Sequence, residues 1–233
     1  MTFRICASLI LKNKAFYQSF KFEEKKLLGS MQSIYESLER KEIDEIHIIR
    51  CRKDDDDFED IKADYESLKS LISLTPIAIG GGLSKFFNIN SDSVSFERFL
   101  FNKCLFSDIS FIQQIKDKYG MQSICAYIPL KIFNEETYFW NGSKNSFEKL
   151  EKDCFSRFED HINECIFLDC MSEGTSNGFN FKLLKDVTIV PEKILISGGI
   201  NRDSLNRARK LNYAGVSIEN RSLFYEDSFI NEN

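Results

Sequence analysis

The strongest constraint on the fold of this chain is a four-part internal repeat. Pro76–Leu83 (PIAIGGGL) and Lys193–Ile200 (KILISGGI) each combine a short apolar strand with glycines, and Gly80 and Gly198 lie 118 positions apart (198 − 80). Three more strand-like pairs recur in the same order at offsets of 118 or 119, namely Ile5–Lys12 with Ile124–Lys131, Glu45–Cys51 with Glu164–Cys170, and Asn102–Phe106 with Asn220–Phe224. Four collinear pairs at nearly one offset indicate an internal duplication.

The repeat predicts eight strands that alternate with helices in one domain, residues 1–233. The predicted strands are Arg4–Leu11, Glu45–Cys51, Pro76–Leu83, Arg98–Lys103, Gln122–Lys131, Glu164–Cys170, Lys193–Ser197 and Ala214–Asn220. The predicted helices are Ser30–Lys41, one ending near Ser73, Ser107–Tyr119, Ser146–Ile162, Phe179–Val187 and Asp203–Leu211, with Lys12–Leu28 as a loop and Ile132–Asn145 as a hairpin excursion. Two similar halves, about residues 1–119 and 120–233, favour an α/β (β/α)8 TIM barrel over an open sheet. Tyr225–Asn233 leaves room only for a short closing element.

Composition and charge exclude several classes of function. The net charge is −5 with scattered basic residues, so neither nucleic acid nor a membrane is an expected partner. No apolar stretch resembles a signal peptide or a membrane span, so we expect a cytoplasmic protein. Seven cysteines without metal-type spacing indicate reduced core residues, and we expect neither a metal nor a cofactor. The run Asp54–Asp57 fits a solvated helix start better than a metal site.

The glycines predict anion sites at one end of the barrel. Loops that follow the strands form the working face of such barrels, and glycine-rich turns there commonly bind phosphate. The candidate residues are Gly80, Gly81, Gly82, Asn102 and Lys103 in the first half, and Ser197, Gly198, Gly199, Asn220 and Arg221 in the second. Two such cradles would suit an elongated ligand with a phosphate at each end. The alternative is that the glycines only permit tight turns.

Several collinear segments resemble a known family. They are Arg4–Ala7, Ile43–Glu45, Gly80–Gly82, Asn102, Gly120–Ser123, Glu173–Thr175 with Gly178, and Ser197–Gly199. Across essentially its whole length the chain resembles the cyclase subunit of imidazole glycerol phosphate synthase (HisF). The resemblance implies a heterodimer in which a glutaminase (HisH-like) subunit releases ammonia at the bottom of the barrel. The ammonia then crosses the barrel to a diphosphorylated ribonucleotide at the top, and Gly174 and Thr175 join the phosphate-binding candidates.

The two catalytic aspartates that the family implies are absent. The corresponding positions at the ends of the first and fifth strands are Ile10 and Pro129, and neither side chain transfers a proton. Arg50 replaces the acid that ends the second strand, and Gln18 replaces a lysine of the first loop. General acid–base groups contribute roughly 10²–10⁴-fold each, so we expect that cyclisation is lost. Glu173 remains a weak candidate for a catalytic acid.

The opposite end of the barrel keeps the charges that the resemblance implies. Arg4, Glu45, Arg98 and Glu164 match four charged residues that form an ammonia gate in the family, with Arg98 in place of the usual lysine. Glu97 matches an acidic position that docks the glutaminase. The alternative is a salt-bridge plug that only closes the barrel.

Strand periodicity places two further side chains inside the barrel. His47 shares the inward face of its strand with Glu45, and Tyr127 points inward from the fifth strand, where its ring would obstruct a passage. We interpret His47 as a packed or hydrogen-bonded interior residue rather than as a catalytic base.

Three functions follow from these observations. The first is a HisF-like barrel that docks a glutaminase and conducts ammonia to a third protein. The motif Leu9–Asn13 resembles a branch that amidates surface-polysaccharide sugars, which suggests a sugar amidotransferase as that protein. The second is an active cyclase (lyase) of histidine biosynthesis in which Glu173 or Glu219 substitutes for a lost aspartate. The third is a non-enzymatic scaffold that binds a phosphorylated small molecule.

Overall fold

A computed structural model shows a closed barrel of eight parallel strands. It describes residues 2–21, 24–51, 58–68, 74–83 and 96–224, so the predictions for Asp54–Asp57 and Tyr225–Asn233 lie outside the described residues. The barrel strands are β1 (Arg4–Lys12), β4 (Glu45–Arg50), β5 (Ile77–Gly80), β6 (Arg98–Phe101), β7 (Ile124–Phe133), β10 (Glu164–Asp169), β11 (Ile194–Ser197) and β12 (Gly215–Ile218). They pair in the order β10-β11-β12-β1-β4-β5-β6-β7, and pairing of β7 with β10 closes the cylinder. The predicted (β/α)8 TIM barrel is confirmed.

Helices surround this barrel. They are α1 (Met31–Glu39), α2 (Phe58–Leu68), α3 (Lys103–Ser107), α4 (Ile109–Tyr119), α5 (Ser156–Glu159), α6 (Arg202–Lys210) and α7 (Asn220–Phe224), with short 3-10 turns at Met121–Ser123, Phe181–Leu184 and Pro191–Lys193. Side chains of Ser30, Asp108 and Asn201 accept hydrogen bonds from the first turns of α1, α4 and α6, which explains where these helices begin. Among the described residues, no helix is both long and apolar enough to cross a membrane.

Two hydrophobic layers result from strand alternation. The larger lies between the outer face of the barrel and the helices, and it includes Leu9, Ile48 and Phe167. The smaller fills the barrel interior and contains Cys6, Ala78, Leu100, Cys125, Ile166, Leu195 and Ala214. All seven cysteines are free, as the core interpretation predicted.

Two β-hairpins extend beyond the barrel. The first replaces a predicted loop, and the second confirms the predicted hairpin excursion Ile132–Asn145 but extends into a predicted helix. The first contains β2 (Ala15–Phe20) and β3 (Glu24–Gly29), within the predicted loop Lys12–Leu28. The second contains β8 (Glu136–Asn141) and β9 (Ser146–Lys149). The helix predicted over Ser146–Ile162 is wrong, because the aromatic pair Trp140–Phe147 and cross-strand hydrogen bonds hold its first residues in a ribbon.

The hairpins are built alike in the two halves. β1 and β7 each run past the barrel, turn through two residues with positive φ, and pair with the returning strand. The turn residues are Asn13 (φ 49°) and Lys14 (φ 57°) in the first half, and Asn134 (φ 49°) and Glu135 (φ 65°) in the second. Such left-handed pairs match the twist of two-residue hairpins.

Strand pairing also sets the register of the repeat. β1 pairs Cys6 with Glu45, and β7 pairs Cys125 with Glu164, which agrees with the predicted offset of 119 (125 − 6). The glycine turns are one position off the prediction, because Gly81 (φ 96°) rather than Gly80 occupies the place of Gly198 (φ 95°).

The second half contains one extra residue where its last strand ends. Pairing of Ala78 with Arg98 and of Leu195 with Gly215 gives these strands an offset of 117 (215 − 98). The helices that follow return to an offset of 118, because the fully buried Leu105 and Leu223 are equivalent. The additional residue between strand and helix is Glu219.

Candidate functional site

Four charged side chains meet at the N-terminal end of the barrel strands. Arg4 Nη1 lies 2.8 Å from Glu45 Oε2, and Arg98 Nε lies 3.3 Å from Glu45 Oε1. Both guanidinium groups also pair with Glu164 Oε2. The two arginines and two glutamates therefore form a closed ionic circuit, which we call the base ring.

The base ring compensates buried charge. The side chains of Glu45 and Glu164 are 3% and 2% exposed, which would be costly without cationic partners. Burial opposes ionisation of Glu45, but the hydrogen bond with His47 and the positive charges of Arg98 and Arg4 outweigh it and lower the pKa of Glu45. The predicted gate residues are thus adjacent, in a geometry that both a gate and a plug require.

A polar group lies directly above the base ring. His47 Nδ1 is 2.8 Å from Ser217 Oγ, and its Nε2 is 3.4 Å from Glu45 Oε2. His47 and Ser217 are 2% and 1% exposed. The sequence interpretation of His47 as a hydrogen-bonded interior residue agrees with this geometry, whereas Ser217 was missed because its partner lies 170 positions away.

The same region holds a set of possible metal ligands. Cys6, Glu45 and His47 place one donor atom each within 4.8 Å of one another. Two guanidinium groups already engage Glu45, and burial together with the charge of Glu45 raises the pKa of the Cys6 thiol well above its usual value. A protonated thiol beside two fixed cations is a poor site for a divalent metal.

A small cavity lies at the opposite end, which we call the rim. Its volume is about 50 Å³, enough for about three or four water molecules at 10–15 Å³ each. The residues that line it include Ile10, Gln18, Tyr127, Glu173, Glu219 and Arg221. The structure thereby brings together residues that the sequence singled out in four separate segments.

Two carboxyl groups face each other across this cavity. Glu219 Oε2 accepts hydrogen bonds from the backbone N–H of Gly174 at 2.7 Å and of Gly199 at 3.4 Å. The hydroxyl of Ser19 donates to Glu173 Oε1. Burial, followed by the negative charge of Glu173, raises the pKa of Glu219 to about 8. Glu219 therefore holds its proton at neutral pH.

The hydrogen bonds of Glu219 occupy backbone N–H groups of the second predicted phosphate cradle. The N–H groups of Gly174 and Gly199 already contact Glu219, so a phosphate would have to displace its carboxyl group. Thr175 Oγ1 donates to Ser172 O at 2.6 Å, and Ser197 Oγ donates to Ser217 O at 3.0 Å. Phosphate binding here stays a prediction.

In the first predicted phosphate cradle, the side chain of Asn102 is likewise occupied by hydrogen bonds within the protein. Asn102 Nδ2 donates to Tyr127 O at 2.9 Å and to Trp140 O at 3.1 Å, and its Oδ1 accepts from Gly142 N at 2.8 Å. Asn102 thus fastens the second hairpin to the barrel. Its neighbour Lys103 is exposed, as is Arg221 in the second half.

Backbone geometry accounts for the central glycines. A Cβ atom on Gly81 would overlap the carbonyl oxygen of Arg50, and one on Gly198 would overlap that of Asp169. Both glycines have φ near 95°, which L-residues with side chains rarely adopt. The tight-turn requirement is therefore sufficient to explain Gly81 and Gly198.

Ile10 and Pro129, where the resemblance implies aspartates, lie beyond the middle of β1 and β7. Ile10 pairs with Tyr17 of the first hairpin, and Pro129 pairs with Leu168. Arg50, which replaces an acid, is buried and pairs with Asp64 through Nε at 2.7 Å. Asp64 was missed by sequence reasoning because it lies on a helix that carries no motif.

The protein is thus a (β/α)8 barrel. It has an ionic base ring at one end, a polar group inside the barrel and a cavity lined by acidic side chains at the rim. The family model described as "Histidine biosynthesis protein" matches residues 4–229. The chain belongs to this family, as a divergent HisF-like member.

Two curated relatives agree with this assignment. The chain is 24% identical over 235 residues to the "Putative imidazole glycerol phosphate synthase subunit hisF2" of Campylobacter jejuni. The alignment covers 95% of this chain and 89% of that protein. The chain is 25% identical over 205 residues to the protein of the same name from Pseudomonas aeruginosa. That alignment covers 79% of this chain and 74% of the relative.

Proposed function

We propose that this chain is the barrel subunit of a glutamine amidotransferase complex, in which it docks a glutaminase and conducts ammonia without performing cyclisation. The observation that carries the proposal is the base ring. Arg4, Glu45, Arg98 and Glu164 come from four different strands, yet they meet at the end where the family receives ammonia. The relatives' description as a synthase subunit supports a glutaminase partner.

The rim supports the loss of cyclase chemistry. Ile10 lines the cavity at the position of the first expected aspartate, and Pro129 replaces the second. The rim cavity of about 50 Å³ has room for a molecule the size of ammonia. In this proposal the ammonia leaves at the rim for a third protein, and the motif Leu9–Asn13 suggests an enzyme that amidates a surface-polysaccharide sugar.

Glu97 offers the sharpest test of docking. It is exposed at the base, and its Oε2 accepts a hydrogen bond from Ile77 N at 2.8 Å. We expect Glu97→Lys to weaken association with a HisH-like glutaminase from the same organism by about tenfold or more, roughly 1.4 kcal/mol. Glu97→Gln is the matched control, because glutamine keeps an oxygen that accepts from Ile77.

The measurement combines the dissociation constant of the purified pair with the stimulation of glutamine hydrolysis. Glu45→Ala, which opens the base ring, should lower stimulation and release ammonia at the base instead of the rim. If Glu97→Lys and Glu45→Ala both leave association and stimulation unchanged, the docking proposal is wrong.

A second candidate function is favoured by the carboxyl pair at the rim. Glu219 has a raised pKa beside Glu173, an arrangement that is typical of general acid–base pairs. An active cyclase would turn over the ribonucleotide with ammonium salts in the absence of any glutaminase. Turnover that disappears in Glu219→Gln would support this function, and absence of turnover in the wild-type protein would exclude it.

A further inference from the structure

We propose that Glu45, His47 and Ser217 form an ammonium-deprotonating site inside the barrel. The proposal rests on the proposed function, because it concerns what happens to ammonia after it passes the base ring. In this site ammonium gives up one proton and continues toward the rim as neutral ammonia.

Glu45, His47 and Ser217 are arranged in a sequence of carboxylate, imidazole and hydroxyl, in which the imidazole can accept a proton. The ionised carboxylate of Glu45 lies 3.4 Å from His47 Nε2, which assigns the ring proton to Nε2. Nδ1 then accepts a hydrogen bond from the hydroxyl of Ser217 at 2.8 Å. A carboxylate that orients an imidazole, which in turn contacts a hydroxyl, is the relay that activates serine nucleophiles. His47 and Ser217 are almost fully buried, so the relay is shielded from bulk solvent.

The position of the site along the barrel explains why a proton would be removed there. Below it lies the base ring, whose carboxylates tolerate a cation. Beside and above it the interior is lined by Ala78, Leu100, Cys125, Ile166 and Leu195, which offer a cation no charged partner. Transfer of an unpaired ammonium ion into such surroundings is strongly unfavourable, whereas neutral ammonia crosses at small cost.

The site also adjoins the wall of the rim cavity. Ser8 is the β1 partner of His47 in the sheet, and Ser8 lines that cavity. His47 therefore lies between the base ring and the rim cavity.

The proton transfer balances without a further reactant. One N–H bond of ammonium breaks, and its electron pair stays on nitrogen as ammonia. The proton passes to Ser217 Oγ while the Ser217 hydroxyl proton moves to His47 Nδ1. The resulting imidazolium is paired with the ionised carboxylate of Glu45, and its extra proton returns to solvent when the neutral imidazole forms again.

Charged groups from four strands surround His47. Glu45 lies on the same strand, Arg4 lies on β1 and Arg98 lies on β6, and both arginines are also paired with Glu164 on β10. The thiols of Cys6 on β1 and Cys125 on β7 remain neutral, because burial raises their pKa values, to about 12 for Cys125. The charged neighbours of His47 are therefore two carboxylates and two guanidinium groups.

The test uses ring-labelled histidine NMR on the full chain, which contains only two histidines. His161, outside the barrel, is the internal reference. Ammonium chloride at neutral pH should shift the ring nitrogen resonances of His47 saturably toward the imidazolium position and leave those of His161 unchanged. Tetramethylammonium chloride at equal ionic strength, which is too large to enter, should shift neither. Absence of a His47 response, equal responses of both histidines, or a response to tetramethylammonium would overturn the proposal.

A variant separates the relay from simple ion binding. Ser217→Ala retains the small size of the residue but removes the hydroxyl, so it should reduce the ammonium-induced shift of His47 at least severalfold. An unchanged shift in folded Ser217→Ala would contradict the relay. The wild-type experiment needs no glutaminase. If the docking test fails while His47 still responds, the proposed function is wrong and the site stands; if docking succeeds while His47 is silent, only the site is wrong.

Discussion

The two ends of the barrel treat buried charge in opposite ways. At the base, two carboxylates and two guanidinium groups form a closed circuit with no net charge. At the rim, Glu173 and Glu219 share a small cavity, and the raised pKa of Glu219 keeps one of the two neutral at pH 7. The base is compensated by ion pairing and the rim by protonation.

This difference indicates which end is under structural constraint. A ring of ion pairs needs all four members, since removal of one leaves a buried charge unpaired. A protonated acid needs hydrogen bonds, such as those that Glu219 accepts from Gly174 and Gly199, but no counter-ion. Ile10 and Pro129 at the rim, where the resemblance implies aspartates, leave no charge unpaired.

Breaking the base ring should produce the largest effect on stability. Glu164→Gln removes the charge that both Arg4 and Arg98 contact and leaves two partly buried cations with one carboxylate. We expect the free energy of unfolding to fall by about 3 kcal/mol, measured by urea denaturation. A loss below about 1 kcal/mol would mean that solvent screens the ring and that the two ends differ less than the geometry suggests.

Asn102→Ala tests the rim without touching its acids. The substitution deletes three hydrogen bonds that fasten the second hairpin, and it should cost about 2–3 kcal/mol at roughly 1 kcal/mol each. Hydrogen exchange should show faster exchange in β8 and β9 than in β2 and β3. Equal exchange in both hairpins would contradict the fastening role of Asn102.

Glu219→Gln tests protonation as the means of compensation at the rim. The folded-state pKa of Glu219 is about 8, above its unfolded value, so ionisation favours the unfolded state as pH rises from about 4.5 to 8. In the wild-type protein, the contribution of Glu219 to the free energy of unfolding is fully present at pH 4.5 and lost above pH 8, whereas a glutamine at this position contributes equally at every pH. The variant should match the wild type near pH 4.5 and exceed it by about 1–2 kcal/mol at pH 8.5. Parallel stability curves would refute the raised pKa.

Glu136→Gln should have the smallest effect and serves as the control for the base ring. Glu136 pairs with Lys149 at 2.5 Å, but both side chains are about half exposed. Exposed ion pairs contribute about 0.2–1 kcal/mol, so urea denaturation should show a change within that range. A loss comparable to that of Glu164→Gln would remove the distinction between buried and surface charge on which the comparison rests.

The sequence was sufficient to predict the barrel and the hairpin excursion at Ile132–Asn145, but not the first hairpin or the strand Ser146–Lys149. Duplicated apolar runs identify parallel strands, because each run is buried on both faces and its pattern is local. Ser146–Lys149 joins a ribbon through the pairs Trp140–Phe147 and Asn141–Ser146, and such cross-strand partners leave no signature in a single segment.

The same limit applies to the candidate site. The base ring could be predicted from the resemblance, because its four residues occupy corresponding positions at the starts of their strands. The contact of His47 with Ser217 depends on the register between β12, β1 and β4, and the burial of Glu219 depends on one additional residue in the second half. The hydrophobic period of one segment determines neither the register between strands nor the burial of Glu219.

The matching hairpin turns have a consequence for the history of the molecule. Asn13-Lys14 and Asn134-Glu135 adopt the same left-handed conformation after the first strand of each half. Two independent later insertions would have had to acquire the same turn at the same strand, whereas copying one gene segment produces both at once. We therefore expect that a single ancestral half, if it doubled to form this barrel, already contained a hairpin at this strand.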